Sequence, residues 1–569
     1  MTPRPNPALV TQSAARRLPR VALLLLCAAY VLPGLFGRDP WRGADLNAFG
    51  QMLAMAEGRV SWLAPSLGGV ATDTAWLPNW IGALFIMAGR PWIDPALAAR
   101  VPFALLLVLS LVAVWYATFN LARSEAAQPL PLAFGGEATP VDYARAVADG
   151  ALLAFIATLG LLQLGHETTP ELAQLAAVAC LQWALAATAT KGRQARAGVL
   201  LCLPVLAACG APSMAVALGL GAALLCSRSR AATNRALVPW LLAAACVAAA
   251  VAWWTHAWAW RVAPAIEAHL VARLWLWFLW PAWPLAAWTL WGWRRHLTYR
   301  HIAIPLLVWG VAGLACIAMD GSDRALMLAL PGVAALAAFA LPTFQRSRSA
   351  ALDWFSVFFF SLCAVLVWLF YLGALLGWPE FAAQGLQRVA PGFPAVLSWP
   401  ELAAAALATA AWLWLVRWRT GRHREVLWKS LVLPASGVAL CWLLLMTLGL
   451  PLLDYGRSNR PLVARLAQHL VQSDCVAAPL APPSLVAALE FHGRMKVDAR
   501  GDSTSASCPR LLWVGAQKGP MQARTQEQVA QLQAKGWVEM ARVQRPTDRA
   551  EVVIVFRQQA AGPALKAQP

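Results

Sequence analysis

Long apolar runs, broken by short charged or Pro/Gly-rich stretches, occupy most of the chain. They lie near 21–36, 101–121, 147–165, 170–190, 197–209, 211–227, 237–257, 273–292, 301–319, 325–344, 352–377, 400–416 and 431–452. A helix needs roughly 20 such residues to cross a bilayer, so this pattern predicts about thirteen spans. The runs at 197–209 and 211–227 are short and parted by Gly210 and Pro212, which leaves a re-entrant pair as the alternative to two spans. The first run follows Arg16, Arg17 and Arg20 as a leader peptide would, but no small-residue cleavage site comes after it. It reads as a retained first helix. Two further apolar-periodic stretches, about 45–57 and 76–88, sit inside a long loop at 37–100. They are short for a span and read as helices lying in the interface, where Trp41, Trp62, Trp76, Trp80 and Trp92 also belong.

The pattern changes after about residue 453. Strand-like runs at 510–514 and 551–556 and helix-like segments at 461–471 and 525–534 predict a small α/β domain. The expected architecture is a mainly α, polytopic membrane protein. It has a tail at 1–20, disordered over its Pro- and Ala-rich first 15 residues, a membrane body at 21–452, a C-terminal α/β domain at 453–556 and a loose end at 557–569. The segment at 124–143, with several Pro, Gly and acids, reads as a flexible connection.

Composition sharpens this. Of 569 residues 60% are apolar and 13% charged, with 31 Trp; soluble proteins carry about a quarter charged, and disorder needs low hydrophobicity. Both classes are excluded. The net charge of +19 is a topology signal, because basic residues gather in alternate loops: Lys191 to Arg196, Arg228 to Arg235, Arg294 to Arg300, Arg346 and Arg348, and Arg417 to Lys429. The loops between them hold the acids. The positive-inside rule then places the N-terminus in the cytoplasm, and an odd number of spans puts the C-terminal domain on the periplasmic side of a bacterial inner membrane. No clustered basic face is present for nucleic acid. Nine of 11 Cys lie in or beside apolar runs; Cys475 and Cys508 alone fall in the C-terminal domain. With no metal-type spacing, that pair reads as a disulfide, the alternative being two independent free thiols.

Five polar clusters fall on the side assigned to the periplasm. They hold Asp39 and Asp45; Asp73; His166, Glu167 and Glu171; Glu267, His269 and Arg273; and Asp320, Asp323 and Arg324. Each has a bland reading as a helix cap, turn or interfacial charge; Asp45 and Asp73 both precede apolar-periodic runs and suit an N-cap. Together, carboxylates, imidazoles and a guanidinium beside lipid suit a phosphate-bearing substrate, with Asp39, His166 and Glu167 among the binding groups.

With its long first loop, many-span core and C-terminal domain, the chain resembles GT-C fold glycosyltransferases of the ArnT and protein O-mannosyltransferase group (glycosyltransferase family 39-like). The resemblance is most specific in the first loop. There Asp45, after the Arg38-Asp39-Pro40-Trp41 opening, stands where the family has its catalytic acid, and the usual acidic pair reads Ala44-Asp45. The family's Glu-Lys-Pro-Pro segment resembles Asp73-Thr74-Ala75-Trp76, keeping the acid and losing the Lys and both Pro. The resemblance implies that Glu171 is a further catalytic acid, that Arg324 faces donor phosphate, and that Asp73 and His269 hold a divalent metal, Zn or Mg/Mn. It implies an inverting transfer of sugar from a polyprenyl-phosphate carrier to a lipid (lipid A-like), glycan or protein acceptor, with Asp45 as general base. A transporter or flippase of lipid-linked saccharide is the alternative from another class, though it should hold its charges at mid-membrane depth. An inactive homologue is the other, motivated by the missing Lys.

Overall fold

The computed structural model describes residues 8–558 apart from 73–74, 133–134, 259–261, 344–345, 421–425, 471–474, 502–507 and 520. Among these, six helices are long and apolar enough to cross a membrane: Pro95–Ala122, Ala232–Trp254, Arg300–Ala318, Ala350–Leu376, Trp399–Arg419 and Lys429–Thr447. Ala268–Phe278 and Ala282–Gly292 meet at 96° and make a seventh if they form one broken span.

The count of thirteen is not reached, because several apolar runs are interrupted. The first helix, Arg20–Val31, stops before Pro33 and Gly34, the latter at φ 82°. The run at 147–165 leaves helical geometry at Thr158, whose hydroxyl bonds back to the Phe155 carbonyl. The run at 325–344 divides into Asp323–Met327 and Leu330–Ala340. Proline opens Pro95–Ala122, Pro140–Ala157 and Pro170–Ala187, where its missing N–H costs nothing. Pro140–Ala157 and Pro170–Ala187 bury nearly every side chain, as helices apolar all round must. The connection at 124–143 and the tail are tied down where described. Thr11 bridges to Glu137, Val10 and Ala15 are buried, and the Leu18 N–H donates to Asp149.

Both first-loop helices form, as Ala44–Ala56 and Trp76–Gly89. The first is not an interfacial helix lying on lipid. Leu46, Phe49, Met52 and Met55 are buried, and Phe49 meets Phe491 edge-on at 4.8 Å. A hairpin, β1 (Ser66–Leu67) and β2 (Val70–Ala71), follows, and the Gly68 carbonyl accepts the Ala499 N–H at 2.8 Å.

The first loop therefore docks on the C-terminal domain. This domain is a five-stranded sheet of β3 (Cys475–Ala477), β4 (Lys496–Asp498), β5 (Arg510–Ala516), β6 (Trp537–Arg545) and β7 (Asp548–Gln558). Its order is β4-β3-β5-β7-β6, parallel across the first three and antiparallel at β7. Helices Pro483–Phe491 and Met521–Ala534 connect strands of the sheet. Cys475 and Cys508 are disulfide-bonded, their Cα atoms 4.8 Å apart.

Candidate active site at the junction of membrane body and C-terminal domain

Three loops converge where the first loop meets the last long helix. Gly37 and Gly43, at φ 72° and 95°, bracket the turn Arg38-Asp39-Pro40-Trp41 and aim its side chains inward. The buried Asp45 carboxylate organises the turn. Its Oδ1 accepts from the Thr168 N–H at 2.8 Å and hydroxyl at 2.6 Å. Its Oδ2 accepts from Arg38 Nη2 at 3.2 Å and the Trp41 N–H at 3.1 Å. Burial alone would raise its pKa, but Arg38, Arg100 and both Thr168 bonds outweigh it and hold the carboxyl below the usual range.

Next to this staple, the loop before Pro170–Ala187 presents Glu167 and Glu171 to one guanidinium. Arg324 donates to Glu167 at 2.6 Å and to Glu171 at 3.2 Å. Glu167 also accepts from Gln163 at 2.8 Å, and burial followed by the Asp45 charge pushes its pKa up despite Arg324. The His166 ring is walled in between the Leu162 and Tyr30 carbonyls, both at 2.8 Å. Burial lowers its pKa to about 4 against the pull of the two carbonyls.

The third contribution comes from Leu450–Arg457, after the last long helix. Asp454 accepts from Trp41 Nε1 at 2.8 Å and the Asp39 N–H at 3.2 Å. Burial, with the Asp39 charge adding to it, raises its pKa to about 6. Arg457 donates to Gln163 at 2.6 Å and lies 4.9 Å from the Trp41 ring centre, with no carboxylate in ion-pair contact among the described residues. Asp39 is taken up by Arg460, whose Nε donates at 2.8 Å, and by the Ser458 hydroxyl at 3.0 Å. An apolar cavity of about 190 Å³ lies between Arg346–Leu376 and the end of Lys429–Thr447. Leu445 and Leu453, on its wall, also pack against the cluster of Trp41, Trp442 and Met446.

The sequence matches no protein-family model and no curated protein. Its fold does have solved counterparts. The crystal structure of ArnT from Cupriavidus metallidurans bound to undecaprenyl phosphate aligns with a TM-score of 0.60, covering 94% of this chain and 97% of that one at 13% identity. The apo form gives 0.62, with 94% and 96% covered at 14% identity. The chain has the GT-C fold of ArnT.

Within this ArnT-like frame, six of the residues singled out from sequence come together: Asp39, Asp45, His166, Glu167, Glu171 and Arg324. Asp45 is not the free carboxylate that a general base requires, since all four of its acceptor positions are filled. Arg324 is not a free phosphate binder, since two glutamates occupy it. Asp73 lies outside the described residues. His269 lies in the first turn of Ala268–Phe278, its side chain 76% exposed and 3.9 Å from Glu267. Among the described residues no three His, Cys, Asp or Glu side chains are placed to share a cation. The arginines are the groups that can meet phosphate there. Sequence reasoning missed Arg38, Asp454 and Arg457. The signal was a charged Asp-Tyr-Gly-Arg directly after the last apolar run, which reads as a mere domain boundary.

Proposed function

We propose that this protein is an inverting glycosyltransferase of the inner membrane. It takes a sugar from a polyprenyl-phosphate carrier and passes it, on the periplasmic side, to a lipid, glycan or protein acceptor. The observation that carries this reading is the carboxylate-free guanidinium of Arg457 beside the wall of an apolar cavity, within a fold whose solved counterpart is bound to undecaprenyl phosphate. A phosphate on a long apolar tail is the ligand that uses both features, with the head on Arg457 and the tail along Leu366, Phe370 and Leu448.

In the reaction an acceptor oxygen attacks the anomeric carbon as the bond from that carbon to the phosphate oxygen breaks. Polyprenyl phosphate leaves with the electron pair, and Arg457 stabilises the charge that develops on it. The acceptor proton goes to Glu171. One Glu171 oxygen bonds Arg324 and the other has no such bond, and the side chain is partly exposed. Asp45 and Arg38 position the loop that carries this acid. A metal held by Asp73 and His269 would add Lewis-acid stabilisation to the leaving phosphate.

Mass spectrometry of envelope lipids and proteins from cells with and without the protein tests this. One acceptor should lose one sugar residue in its absence, and Glu171→Gln should reproduce the loss through a rate about 10²–10⁴-fold lower. An envelope unchanged by removal of the protein refutes the proposal.

A further inference from the structure

A second apolar groove, larger than the cavity beside Leu445, lies between Arg20–Val31 and the long span Pro95–Ala122. It holds about 530 Å³. Arg20 and Leu32 both line it, so it runs the whole length of the first helix. Leu24, Leu32, Val108 and Val112 on its walls are exposed, while Leu152 at its floor is buried. These exposed side chains have no cover among the described residues. The 12 residues of Arg20–Val31 rise about 18 Å, close to half of a hydrocarbon core roughly 30 Å thick. The groove therefore has the depth of one leaflet.

Its two ends differ. Leu32 closes one end with hydrocarbon. At the other, Arg20 lines the groove together with Trp115 and Tyr116, and its guanidinium lies 5.1 Å from the Trp115 ring centre. Arg20 Nη1 donates to Asp149 at 3.3 Å, so one carboxylate already offsets part of the charge there. Asp142, which reaches Gln12 of the same tail, is answered by Arg145. Arg16 and Arg17, just before Arg20, are exposed and have no carboxylate in ion-pair contact among the described residues. A guanidinium beside aromatic rings at the end of an apolar groove suits a phosphate with a hydrocarbon tail. We propose that this groove binds one anionic phospholipid of the surrounding bilayer. Its phosphate sits on Arg20, in the field of Arg16 and Arg17, and one acyl chain lies along Leu24, Val112 and Val108. On the sidedness read from the loop charges, this is the cytoplasmic leaflet, where basic residues beside a span attract anionic lipid. A polyprenyl chain is far longer than the groove, and the grip proposed for its phosphate, at Arg457, is beside a different cavity. The bound acyl chain would seat a first helix that is too short to cross the bilayer alone. This inference does not depend on the proposed activity.

The test uses the full-length protein in phosphatidylcholine nanodiscs that carry a trace of phosphatidylglycerol with a photoreactive diazirine in its acyl chain. Illumination and peptide mapping should place the label on residues 23–32 and 108–116, which line the groove. A phosphatidylcholine probe with the same chain should label them about tenfold less. The double variant Arg16→Gln/Arg17→Gln leaves Arg20 paired with Asp149 and should cut the phosphatidylglycerol label by about tenfold or more, each basic residue being worth about fivefold. Ala28→Phe, which puts a ring into the groove, should abolish the label. The comparison of the two probes needs only wild-type protein and decides the matter if a variant does not fold. Equal labelling by both probes, or a label that survives in folded variants of both kinds, overturns the site. So does a cross-link from these segments to a second copy of the chain, or competition by undecaprenyl phosphate but not by unlabelled phosphatidylglycerol.

Discussion

At the scale of single residues, the geometry separates holding from reacting. Asp45 accepts four hydrogen bonds from three residues, and Asn can accept at only one of its two terminal atoms. Asp45→Asn is expected to lose about 3–5 kcal/mol by stranding Arg38, and Thr168→Val about 1.5–3 kcal/mol, both read by thermal unfolding. An Asp45→Asn protein that melts normally yet fails to transfer sugar would restore Asp45 as the base. Asp454 gives the opposite case. Its carboxyl rises from an ordinary 3.8 to about 6 on folding, so between those values the folded state binds the proton more tightly. Stability from this group is present at low pH and falls as pH climbs through that window. Asp454→Asn should therefore gain on the order of 1–3 kcal/mol over wild type at pH 8. The gain should shrink toward pH 4, as denaturant midpoints at the two pH values would show. A gain that is the same at both would place the effect elsewhere.

At the scale of elements, the long helices were legible because their residues speak for themselves. Lys429–Thr447 and Arg300–Ala318 are apolar and begin close to where periodicity puts them. What was not legible depends on contacts far along the chain. Ala44–Ala56 has the apolar stripe of a surface helix, and Trp76–Gly89 together with Pro483–Phe491 converts it into a buried one. β3 and β4 are three residues each, below what alternation can reveal, and β6 mixes charges into its run. In the site, Glu167, Glu171 and Arg324 could be grouped by side of the membrane, but their mutual ion pairing could not. That pairing engages both terminal nitrogens of Arg324. The helix packing makes a prediction of its own. A Cβ at Gly50 would stand 2.5 Å from the Ala487 Cβ, so Gly50→Val must push the two helices apart. A loss of about 1–3 kcal/mol is expected, with faster proteolytic release of the C-terminal domain. Unchanged protease resistance would mean that the docking is not tight.

At the scale of the whole molecule, the number of crossings remains the weakest inference from hydropathy. An apolar run reports burial, and in a protein this size burial inside a helix bundle gives the same signal as burial in lipid. The side of the C-terminal domain follows from the basic residues at 417–429 and the single span after them, Lys429–Thr447, rather than from the full count. Alkaline phosphatase fused after about residue 455 is expected to be active, and a green fluorescent protein fused at the same place dark. The reverse pattern would place the C-terminal domain in the cytoplasm and move the charge cluster to that side.

The docking of first loop on C-terminal domain has a temporal consequence. The bonds that join Trp41 to Asp454 and Asp39 to Arg460 span 413 and 421 residues. During synthesis the first loop emerges early and has nothing to close against until the ribosome has nearly finished. A chain cut short between Thr447 and Asp454 carries every long helix described above and still lacks both Asp454, the partner of Trp41, and Arg457. The molecule is thus assembled like a ring whose clasp is its last part. The phosphate grip proposed for Arg457 is therefore complete only on chains that have been finished and folded.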